Sequence, residues 1–204
     1  LENKPHLDKF QDDPHWWASL EKNLPHFRRV EFAGGEPLMD PQHYRILDML
    51  KPYGDNIELK YATNGTTLGI SKGRTIHEYW PHFKSIAVNV SIDGIHNVYD
   101  YIRTNSDFNV VAENIKEFKS FNNVSRVVGA FTAQAGNILQ IGDCIEYFLN
   151  DLGIVFYTNM VKYPDVLSIQ VLPSELKTLA YHRLEAVKSK ILNYKLVKQH
   201  PMLL

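Results

Sequence analysis

A few short runs hold the residue types that could do chemistry. Gly34-Gly35-Glu36-Pro37 sets two residues without side chains before a carboxylate and a rigid exit. With no Cβ in the way, backbone can approach a ligand closely, and carbonyls are the acceptors an ammonium group needs. Glu36 could orient a cation or brace the loop. Thr63-Asn64-Gly65 and Ser91-Ile92-Asp93-Gly94 repeat the theme of small polar residues ending in glycine. Ser91 offers a directed hydroxyl donor, Asp93 an acceptor for hydroxyls, and Arg103 a guanidinium fork whose shape matches a carboxylate. A fourth polar cluster runs from Thr132 through Gln134 to Asn137. Each of these has a plain structural reading too. Turns need Gly, Asn and Asp for their own sake, Asn64 tolerates a left-handed turn, and Arg103 could be a surface arginine. If Arg103 faces a cleft, folding should not need it.

The elements around these runs alternate in a regular way. Residues 28–33, 57–62, 85–92, 124–132 and 153–161 read as strands, and 41–51, 74–83, 109–121 and 137–151 as helices. Val110, Val111, Asn114, Ile115 and Phe118 fall at helical spacing. Asp40-Pro41 suits a helix start, and Gly153 suits the residue after a helix end. Strand starts recur about every 28–40 residues, the length of a βα unit. That order implies a parallel sheet with right-handed crossovers. Order alone leaves open whether the sheet closes, half-closes or stays open. The expected fold is α/β, a parallel partial (β/α) barrel with helices outside. In such folds ligands sit where the carboxyl ends of strands meet the following loops. All four polar clusters fall there, so they would line one mouth. Residues 1–173 are read as this core. Residues 174–204 are read as a C-terminal amphipathic helix, over 174–198 with Ser174 as N-cap, and a possible start of an auxiliary region or partner surface.

Bulk properties narrow the classes. A net charge of −1 and the absence of a basic patch argue against nucleic acid or an anionic membrane as partner. No run approaches the roughly 18 apolar residues of a membrane helix, and no signal peptide precedes the first helix. One cysteine, Cys144, excludes an internal disulfide and fits a reducing, cytoplasmic setting. It reads as a buried small hydrophobe in a helix. Nine histidines are scattered, and none forms a compact metal-ligand pair. Trp16 and Trp17 are expected to pack the outer helix layer. The chain opens at Leu1 and ends in Met202-Leu203-Leu204, which reads as an excerpt of a longer protein.

A strand followed by Gly34-Gly35-Glu36-Pro37 resembles the second strand of radical S-adenosylmethionine (SAM) enzymes. The likeness extends in order to Thr63-Asn64-Gly65, to Ser91-Ile92-Asp93-Gly94, to Tyr101-Ile102-Arg103 with Phe108, and to a helix carrying Asn114-Ile115. Over about residues 15–160 the pattern is similar to the peptide- and protein-modifying branch, including members with a shortened "twitch" region. The resemblance implies that backbone at 34–37 holds the amino group of SAM, with Thr63 and Asn64 beside it. Ser91 would bond its carboxylate or ribose, Asp93 the ribose hydroxyls, and Arg103 the carboxylate. Thr132, Gln134 and Asn137 become candidates for adenine or substrate contacts. It further implies a 4Fe–4S cluster and an electron donor, and cleavage of SAM to methionine and a 5′-deoxyadenosyl radical. That radical would take hydrogen from a substrate, a peptide or protein in this branch. One family feature is missing: the three-cysteine CxxxCxxC loop after the first strand. Either that loop lies upstream of Leu1, or the chain is a degenerate, cluster-less homologue acting as a binding or scaffold protein. An unrelated barrel enzyme with an accidental GGEP turn is the remaining class. The chain alone is not expected to assemble a cluster.

Overall fold

The computed structural model describes residues 12–193. Asp13 opens the first helix, α1 (Pro14–Asn23), by accepting the His15 N–H at 2.9 Å, with Pro14 in the first turn. Trp17 of α1 is buried, and the Arg45 guanidinium lies 3.6 Å over its ring. β1 (Arg29–Phe32) leads through the GGEP turn into α2 (Pro41–Leu50), which Asp40 caps by accepting the Gln42 N–H at 2.8 Å. β2 (Glu58–Thr63) is followed by a small hairpin, β3 (Gly69–Ser71) with β4 (Arg74–Thr75), and then by α3 (Ile76–Tyr79). β5 (Ser85–Ser91), α4 (His96–Ile102), α5 (Phe108–Ser120), β6 (Val124–Ala133), α6 (Ile141–Asn150), β7 (Val155–Met160) and α7 (Ser174–Asn193) complete the order.

Five strands form one parallel sheet in the order β1-β2-β5-β6-β7. β1 and β7 have no partner on their outer sides, so the sheet is open and no closed barrel forms among the described residues. The expected α/β class and outside helices hold. Strand parity sorts the two faces. Leu59, Tyr61, Ile86, Val88, Val90 and Phe131 are all buried and point to one side. There they meet the helices' Leu47, Val111, Ile115, Phe118 and Phe148 in a single core. Each fully buried aliphatic side chain contributes about 1.5–3 kcal/mol. The other face carries Glu58, Lys60, Ala62, Ser85, Ala87, Asn89 and Ser91, all only half-buried. No helix covers it.

Several local expectations change. Residues 74–83 do not form one helix: Arg74–Thr75 pairs as β4, and only Ile76–Tyr79 is α-helical before a 3₁₀ turn at Trp80–His82. Pro81 removes the donor that a longer helix would need. Val110 faces solvent, while Phe108 and Ala112 take buried positions in α5. Ser174 is the first helical residue, and the Pro173 carbonyl accepts from Leu176 and Lys177. Gly153 has φ +59, and the Ile154 N–H returns to the Phe148 carbonyl to close α6. α7 packs on α6, where Gly142 leaves room for the Arg183 backbone. Residues 194–198 of the expected C-terminal helix, with His6 and His200, lie outside the described residues.

Candidate functional site at the carboxyl edge of the sheet

Because all five strands of the main sheet run the same way, the turns after Phe32, Thr63, Ser91 and Ala133 share one edge. Gly34 and Gly35 have φ +89 and +55, the left-handed region that side chains disfavour. A Cβ built at either would meet no atom within 4 Å. The backbone there is held in an unusual shape and is open to approach.

Glu36 fixes that shape. Its Oε1 accepts the Leu38 N–H at 3.1 Å and the Thr63 hydroxyl at 2.7 Å, and its Oε2 accepts the Asn64 N–H at 2.6 Å. Of its two possible roles, the carboxylate therefore braces the loop. It ties the turn after β1 to the turn after β2. Thr63 is buried, and its Oγ1 also accepts the Gly65 N–H at 3.0 Å, so its hydroxyl both donates and accepts within the brace. Asn64 keeps φ negative and makes an Asx turn, accepting both the N–H and the hydroxyl of Thr66. The left-handed position falls on Gly65, at φ +72. Asn114 of α5 donates to the Gly65 carbonyl at 2.8 Å and pins the turn from behind. Pro37 is buried at the start of a 3₁₀ turn.

Ser91 lies on the uncovered face, and its hydroxyl has no hydrogen-bond partner among the described residues. It is a donor available to a ligand. Asp93 has a different duty. Its side chain is 9% exposed, and its Oδ2 accepts from Arg103 Nε at 2.9 Å and Nη2 at 2.6 Å. Oδ1 accepts the Thr132 N–H at 2.7 Å. Both oxygens are thus engaged in locking α4 and β6 to the end of β5. Arg103 follows α4 as its C-cap and is 26% exposed, with Nη1 left without a partner among the described residues. Asn137, 1% exposed, donates to the Asp93 and Thr132 carbonyls at 2.9 Å each and accepts the Gln134 N–H at 2.8 Å. It staples the last two turns, with both amide hydrogens engaged. Gln134 and Thr132 keep side chains without hydrogen bonds among the described residues.

Sequence reasoning passed over Gln140, whose Oε1 accepts the Ile95 N–H at 3.0 Å and holds the start of α4. Nothing in its local pattern signals that bond. His96, the next residue, has φ +49, a strained value for a residue with a side chain. Deeper in, His43 Nε2 meets the Tyr61 hydroxyl at 3.0 Å beneath Phe32, and its Nδ1 is buried without a partner. Burial lowers the His43 pKa to about 3, so the ring is neutral.

Two groups can be tested against the site. An α-amino acid head fits the groups on offer: open glycine backbone to accept from an ammonium, and the Ser91 hydroxyl and Arg103 Nη1 to donate to a carboxylate. An iron–sulfur cluster does not fit. Cys144 is buried in α6, and burial pushes its thiol up to about 12, far from a metal-binding thiolate. Among the described residues, no three His, Cys, Asp or Glu side chains come together as a metal site. Nor is any helix among them long and apolar enough to cross a membrane.

No family model matches the chain, and no curated protein does. Solved structures do. SuiB of Streptococcus suis is similar with a TM-score of 0.57 at 14% identity, over 85% of this chain and 40% of SuiB. SuiB bound to S-adenosylmethionine is similar with a TM-score of 0.56 at 15% identity, with the same coverage. At that identity the likeness is one of fold, and the chain spans 40% of SuiB's length.

Proposed function

We propose that the chain is the SAM-binding part of a radical SAM enzyme, with the cofactor seated at the carboxyl edge of the sheet. The observation that carries the reading is the Glu36 brace, which holds an open, left-handed Gly34-Gly35 backbone beside the next strand's turn. Support comes also from the fold it shares with SuiB, which has been crystallised with SAM bound. On this proposal the Gly34-Gly35 backbone takes the amino group, Ser91 donates to the carboxylate or ribose, and Arg103 Nη1 meets the carboxylate. Glu36, Thr63, Asp93 and Asn137 position these groups and do not touch the ligand. Bound SAM supplies the reactive 5′-carbon, while the protein orients it and excludes water. Three thiolates and an electron donor would come from outside these residues, because Cys144 cannot replace a three-cysteine loop. The substrate, a peptide or protein by the branch resembled, would enter over the uncovered face. A second reading, a cluster-less homologue acting as a binding or scaffold protein, is favoured by the Arg103 fork already spent on Asp93.

Calorimetric titration of the chain with SAM tests the proposal, with Ser91→Ala and Gly35→Ala as variants. Ser91→Ala should weaken binding by about 0.5–1.5 kcal/mol if it donates to a neutral group and by about 1.5–3 kcal/mol if to a carboxylate. No saturable binding, or binding indifferent to both variants, would overturn it.

A further inference from the structure

The uncovered face that carries Ser91 at one end forms a cavity of about 390 Å³ at the other, between the amino halves of the strands. Ligand sites usually fall at roughly 300–1,000 Å³. Along β5, Ser85 in this cavity stands about 20 Å from Ser91, at roughly 3.3 Å per residue. A molecule there would not touch the GGEP turn.

Two charged walls face each other across it. On one, Arg29 donates to Glu58 Oε2 through Nε at 3.1 Å and Nη2 at 2.8 Å, and Lys60 Nζ donates to Glu31 Oε1 at 2.8 Å. Each pair leaves one carboxylate oxygen, Glu58 Oε1 and Glu31 Oε2, without a partner among the described residues. On the other wall stands Arg126, whose guanidinium has neither ion pair nor hydrogen bond among the described residues. Ala87 lies between them, in register with Lys60 on one side and Arg126 on the other. Two strand spacings, about 10 Å, separate the two wall backbones. A bulky residue at 87 would fill that gap, and alanine leaves it open.

We propose that this cavity binds a small zwitterion, its carboxylate on the Arg126 fork and its ammonium on the free oxygens of Glu31 and Glu58. A free α-amino acid and a dipeptide both carry that chemistry. The planar guanidinium takes a carboxylate through two parallel bonds. A plain carboxylate would engage Arg126 but leave the two free carboxylate oxygens facing it, so the site selects for an ammonium on the same molecule. This inference does not rest on SAM binding, and the two ends of the face report separately.

The test is an amide-resolved NMR titration of the chain with L-alanine, with Ala-Ala and with propionate. Saturable shifts at residues 58–60, 85–87 and 126 are expected with at least one zwitterion, while Gly35 and Ser91 stay still. Saturation by L-alanine alone identifies a free amino acid as the source, and saturation by Ala-Ala alone a dipeptide. Arg126→Ala should weaken binding roughly tenfold or more, and Arg126→Lys should recover part of it. Arg126 is exposed, so the melting temperature should not move. The inference is overturned if neither zwitterion saturates, if propionate binds as tightly, if Arg126→Ala changes nothing, or if the shifts centre on Gly35 and Ser91.

Discussion

Replacing Arg103 by alanine removes one of two partners in a largely enclosed ion pair. The Asp93 carboxylate is 9% exposed and holds three donors, two of them from Arg103. Without the guanidinium, Oδ2 keeps its charge and loses both protein donors, while Oδ1 keeps the Thr132 N–H. Breaking a fully buried pair costs about 3–5 kcal/mol. Arg103 is 26% exposed, so water can reach Oδ2. The expected loss is therefore about 2–4 kcal/mol. For a chain of this size, that lowers Tm by roughly 4–16 °C. Arg103→Lys keeps the charge but not the Nε/Nη2 geometry and should recover part of the loss. Adding Asp93→Asn to Arg103→Ala removes the stranded charge, so the double variant should be more stable than the sum of the single losses by about 0.5–3 kcal/mol. Thermal and urea melts of the parent chain, the two Arg103 variants, Asp93→Asn and the double variant measure this. A loss under about 0.5 kcal/mol for Arg103→Ala, or strictly additive losses, would refute the reasoning. The same variants titrated with SAM read the second duty. One bond from Nη1 to a carboxylate is about 1.5–3 kcal/mol, roughly 10- to 150-fold in Kd. The expectation that a cleft-facing Arg103 is dispensable for folding gives way to the Asp93 contact.

His43 makes stability depend on pH. Its pKa is depressed from 6.5 to about 3 by burial, so the unfolded chain takes up the proton first. Stability from this group is present above pH 6.5 and is lost as pH falls toward 3. Between pH 7 and pH 5 the loss is about 2 kcal/mol, and His43→Phe should flatten that slope in urea melts. Gly65→Ala would place a Cβ 2.9 Å from Val90 Cγ1 at φ +72. It should cost about 1–3 kcal/mol in a thermal melt, and no loss would show that the turn relaxes freely. Anaerobic reconstitution of the chain with iron and sulfide should yield no stoichiometric 4Fe–4S absorbance, and near-stoichiometric absorbance would contradict the ligand argument from Cys144.

The hydrophobic alternation of residues 57–62 and 85–92 and the glycine-rich turns were enough to place five strands and their carboxyl-edge turns, because burial period and turn chemistry are local properties. Asp40 as a cap and Gly153 as a helix stop were legible for the same reason. The hairpin at Gly69–Ser71 with Arg74–Thr75 was not, being too short to show a period, and α4 begins at a strained His96 that no propensity favours. Likewise, Glu36, Thr63, Asp93 and Asn137 each have a side chain that could serve a ligand or a neighbour, and their types alone do not distinguish the two. The answer depends on which partner groups lie within about 3 Å, and several of those come from turns 27 to 44 residues away along the chain. The sequence by itself determined the order of elements and the edge where polar residues gather, since both follow from periodicity and from glycine. Only the tertiary structure decided which of those residues are spent on bracing and which, such as the Ser91 hydroxyl, remain free, because a hydrogen bond across strands is a matter of register and approach.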